Sequence, residues 1–84
     1  MISQRDIQRA REAIIQAKRE LDLSSDNSAY SAHGAAYGLR DLVATKEAGL
    51  SDLAWAMYRE YPHKDDVLGL IEHLEKFLAK EEAK

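Results

Sequence analysis

The sequence has no cysteine, a single proline, one tryptophan and one phenylalanine, and each scarcity excludes something. Without cysteine there is neither a disulfide nor a thiolate metal site, the two usual staples of a small domain. With one proline and four glycines in 84 residues, few positions interrupt a helix. No apolar run approaches the roughly 20 residues that cross a bilayer. Charged and apolar residues mix from Arg5 onward, where the apolar stretch of a signal peptide would have to lie. These features predict a cytoplasmic chain with no membrane partner. Charge of one sign is scarce too: 12 Lys and Arg against 15 Asp and Glu leave a net −3, too little to mark a polyanion binder or a nucleic-acid mimic.

What is present is 45% hydrophobic and 32% charged, a globular composition. One domain over 1–84 is expected. A chain this short buries only about 60 to 65% of its extended surface on folding. With both staples missing, association or closely packed long helices must supply the remaining stability.

The apolar spacing is helical throughout, so the predicted fold is all-α: a compact bundle of four helices, three long and one short, with antiparallel neighbours. Ile7, Ala10, Ile14, Ala17 and Leu21 recur every three or four residues and place a first helix over about 4–22, capped by Ser3. The polar stretch Leu23 to Ser28 reads as a loop. A second helix is predicted over about 29–48, closed by Gly49 in the left-handed conformation. Ser51 can cap a third over about 52–60, which stops because Tyr61 precedes Pro62. A fourth, about 64–80, begins with Asp65 and Asp66 complementing its dipole and carries the stripe Val67, Leu70, Ile71, Leu74, Phe77 and Leu78.

Placing each residue about 100° from the last separates a core stripe from a remainder. On the second helix the stripe is Ala32, Ala35, Ala36, Leu39, Leu42 and Val43, while Tyr30, His33, Tyr37 and Ala44 share the other side. Ile15 falls outside the stripe of the first helix, and Trp55 lies opposite Leu53 and Met57 on the third. Two readings fit: the second helix is central and covered on both sides, or Ile15, Tyr30, His33, Tyr37 and Trp55 form a partner-binding surface, aromatic residues being enriched at interface hot spots. Gly34 and Gly38, four apart, allow a close helix crossing, at a cost of about 1 kcal/mol each in helix propensity.

Catalytic chemistry finds little support. No serine sits in a glycine-flanked elbow, and no glycine-rich loop is placed to cradle a phosphate. His63, Asp65 and Asp66 cluster without a recurrent metal-ligand spacing, His73 falls on the solvent side of its helix, and His33 is remote from both. Neither a metal nor another cofactor is expected, and no enzymatic activity; an enzyme would require His63, Asp65 and Asp66 to face a pocket with Tyr61. The segment Thr45–Tyr58 has the cadence of a helix-turn-helix, but its second helix would present Asp52, Trp55, Arg59 and Glu60, poor chemistry against phosphate. The first helix likewise interleaves Asp6, Glu12, Glu20 and Asp22 with its five basic residues. The function predicted is a small non-catalytic helical module that binds a protein partner or itself as a homodimer; the alternative is a DNA-associated regulator using Thr45–Tyr58.

Overall fold

The computed structural model describes residues 2–23, 29–60 and 62–84, apart from the side chains of Leu23, Ala29 and Tyr30. Among the described residues there are five helices and no strand: α1 (Gln4–Leu23), α2 (Ala29–Arg40), α3 (Val43–Glu47), α4 (Ser51–Arg59) and α5 (Lys64–Glu82). The radius of gyration is 12.1 Å, close to the roughly 12 Å of a compact chain this long. The predicted loop at 24–28 and Tyr61 lie outside the described residues.

α1 starts where its sequence says it should. The Ser3 hydroxyl accepts from the backbone N–H of Asp6 at 3.2 Å and donates to the Asp6 carboxylate at 2.9 Å. Ile2 and Ile7, the staple positions flanking this cap, are both buried. All five predicted stripe residues, Ile7 to Leu21, are in the core, and so are Val67, Leu70, Ile71, Leu74 and Leu78 of α5, with Phe77 packed against them. α2 packs against both of these long helices, and its buried residues Ala32, Ala35 and Ala36 let it approach α1 closely.

The four-helix expectation needs correcting in its second member. The helix predicted over 29–48 ends at Arg40, turns through Asp41 and the extended Leu42 (φ −68°, ψ 144°), and resumes as α3. The buried Thr45 hydroxyl donates to the Leu39 carbonyl at 2.7 Å, serving a group that the helix break deprives of its own amide. The break also rotates α3 relative to a continuous helix. Val43, expected in the core, is 44% exposed, and Ala44, expected on the outer side with Tyr37, is fully buried.

Gly49 takes the left-handed conformation (φ 74°) and closes α3. Its N–H reaches Lys46 O at 3.1 Å, and Leu50 N–H reaches Thr45 O at 3.0 Å, the paired bonds of a Schellman turn. α4 then begins at Ser51 itself, with Leu50 rather than Ser51 in the cap position. Its buried residue is Ala54, and Leu53, predicted to face the core, is 44% exposed. The glycine crossing is not what joins α1 to α2. A Cβ on Gly34 would meet only the carboxylate end of Glu20, at 3.3 Å, and one on Gly38 would meet nothing within 4 Å.

The ends of the chain are tied together. Arg11 of α1 pairs with Glu82 of α5, and Lys18 pairs with Glu75 at 3.1 Å. Glu81 Oε1 accepts from Ile2 N–H at 3.4 Å, while its other oxygen meets the Lys84 ammonium at 2.6 Å. That ammonium holds the Glu81 carboxyl below its ordinary range, against a smaller opposing effect of burial.

Candidate functional site

The off-stripe residues of α2 and α4 converge. His33 stacks on Tyr58 with ring centroids 4.4 Å apart and planes 20° apart; Tyr37 lies 5.6 Å from the same ring, and Trp55 meets it edge-on at 6.0 Å. Spacing explains why: Tyr37 and Arg40 are three apart on α2, as Trp55 and Tyr58 are on α4, so each pair shares a helix face. α2 and α4 pack side by side, and the two faces meet.

Arg40 joins them. Its guanidinium carbon lies 4.3 Å from the centroids of both Tyr37 and Trp55 and 4.7 Å from that of Tyr58. One terminal nitrogen pairs with Asp41 at 2.8 Å, and the side chain is only 13% exposed. Its Nε is buried and meets no hydrogen-bond partner among the described residues. A covered cation lacking one hydrogen bond is costly, and the negative faces of three rings offset that cost in the way cation–π contacts do. Arg40 thereby touches all three rings through one cation. Tyr37 stands at the edge of this arrangement and is 56% exposed.

Of the five predicted partner-binding residues, the structure brings together His33, Tyr37 and Trp55. Tyr30 belongs to α2, but its side chain lies outside the described residues. Ile15 stands apart on α1, 52% exposed and outside the ring cluster. Arg40 and Tyr58 are the members that sequence reasoning missed. Their signal is the three-residue spacing from Tyr37 and from Trp55, which a search for apolar stripes alone passes over. In comparison with known families, curated proteins and solved structures, nothing matches this chain.

The remaining candidates are accounted for locally. His63 Nδ1 accepts from Asp65 N–H at 3.3 Å, and the Asp66 carboxylate accepts from His63 N–H at 3.1 Å, so the cluster caps α5. His63 and Asp66 line a groove between α4 and α5, Asp65 is not part of its lining, and Tyr61 lies outside the described residues. Among the described residues no group of three or more His, Asp or Glu is placed to hold a metal ion, and no helix is long and apolar enough to cross a membrane. The helix-turn-helix cadence corresponds to α3, the Gly49 turn and α4. α3 has five residues, and the Trp55 ring that α4 would carry toward DNA is engaged by Arg40.

Proposed function

We propose that the chain is a small, non-catalytic helical interaction module that self-associates, as a homodimer, through the face of α2 and α4 built around Tyr37. The observation that carries this reading is the exposure of Tyr37, at 56%, beside the Trp55 and Tyr58 rings packed on Arg40. Tyrosine, tryptophan and arginine are the residue types that dominate hot spots. Side chains fixed before association lose little further entropy when a partner covers them. Gly38 supports the same reading: it follows Tyr37 on the exposed side of α2, and the space beyond its Cα is open, leaving room for a second backbone to approach.

Trp55 is the sole tryptophan, so its indole N–H gives a single resolved signal in a heteronuclear NMR spectrum. On dilution from millimolar to micromolar concentration that signal and the amides of Tyr37 and Gly38 are expected to shift together, while the amide of Ile7 on α1 stays in place. Cluster signals that do not move over this range would remove the proposal.

A further inference from the structure

Two surfaces remain unused by the aromatic face. The groove between α4 and α5 has a volume of about 330 Å³. Leu53, Ala56, Met57 and Pro62 supply its apolar wall, and Leu53 is 44% exposed there. Its ionisable members are Glu60, Asp66 and His63, with no lysine or arginine in the lining. One oxygen of Asp66 is engaged by His63 N–H, while Glu60 is exposed. The groove therefore suits an aliphatic side chain accompanied by a cation one helical turn away.

The chain carries such a group. Ile15 is 52% exposed on α1, and the residues one turn to either side of it are Arg11, Glu12, Lys18 and Arg19. Arg11 is held by Glu82 and Lys18 by Glu75, and the exposed Glu12 accepts from the Gln8 side-chain amide at 3.4 Å. Arg19 is exposed and has no ion pair among the described residues. Ile15 is not part of the groove's own lining, so only the Ile15 of another copy could enter it.

We propose that the α4–α5 groove of one copy receives Ile15 of a second copy, with Arg19 of the incoming helix set against Glu60. The contact is heterologous, knob on one molecule and hole on the other, so by itself it builds a ring or an open chain rather than a closed pair. It shares self-association with the function proposed above but uses neither Tyr37 nor the ring cluster, and the two can fail separately.

The test uses the full chain carrying Tyr37→Glu, which silences the aromatic face. This parent is expected to associate at high micromolar to millimolar concentration in low salt. Ile15→Asp and Leu53→Glu, each added to it, are expected to weaken association at least tenfold, and both positions are exposed enough for helical circular dichroism to be retained. Mixed in equal amounts, the two variants are expected to form a dimer and nothing larger, because one keeps the groove and the other keeps the knob. Arg19→Glu should weaken the parent contact, and Glu60→Arg added to it should restore the contact. A parent that stays monomeric to millimolar concentration, or a mixture no more associated than its components, overturns the proposal while leaving the aromatic face untouched. Wild-type association unchanged by Tyr37→Glu would instead count against the aromatic face.

Discussion

Thr45 and Arg40 show how single polar side chains decide local structure in this chain. Thr45 is fully buried, and its hydroxyl serves the Leu39 carbonyl at the end of α2. Thr45→Val keeps the shape and removes the donor, leaving a buried carbonyl without that bond. The expected loss is about 1–3 kcal/mol, read as a lower urea midpoint at unchanged slope, with Thr45→Ser retaining most of the stability. A Val variant as stable as wild type would show that the helix break does not depend on this bond. Arg40 acts differently, setting its guanidinium over three rings while one nitrogen finds a carboxylate. That arrangement was not legible in the sequence, because a periodicity search counts Arg40 as polar and ignores the planar surface it offers. His33, Tyr37 and Trp55 were legible, since aromatic groups left off a core stripe stand out wherever they point.

Among the elements, α1 and α5 were readable almost to the residue. Each repeats its apolar positions over three to four turns and begins with residues able to serve its orphan amides, Ser3 and Asp6 in one, His63 and Asp66 in the other. The division of α2 from α3 was not readable. Neither proline nor glycine stands at Asp41 or Leu42, and the bond that replaces the missing helical amide comes from a side chain six residues beyond Leu39. One misplaced break then exchanged the expected sides of Val43 and Ala44. The turn after α3 was readable because Gly49 is there for its backbone conformation, φ 74° with no contact that a Cβ would violate. Gly49→Ala is therefore expected to cost about 1 kcal/mol through conformation alone, measurable as a lower thermal midpoint with helical content preserved. No change in midpoint would mean that the α3–α4 turn can adopt another conformation at no cost.

For the molecule as a whole, the shortage of core that its length implies takes a definite form. The Cα envelope is 39 × 23 × 16 Å, thin enough that packed helices about 8–10 Å apart leave room for only two layers. Every strongly apolar stripe of α1 and α5 is spent on one shared core. Beyond that core, Tyr37 beside the ring cluster and Ile15, Val43, Leu53 and Leu68 elsewhere are exposed apolar side chains. Whether the chain self-associates through Tyr37 is decided by sedimentation equilibrium of wild type beside Tyr37→Glu, with urea unfolding of both. The expected result is a wild-type mass above the monomer at tens of micromolar, a loss of association of at least tenfold in the variant, and stabilities that differ, once extrapolated to dilute protein, by no more than the roughly 1 kcal/mol of the lost Tyr37–Arg40 contact. A wild-type chain that remains a stable monomer throughout, or a variant that loses several kcal/mol of stability as a buried charge would demand, contradicts it.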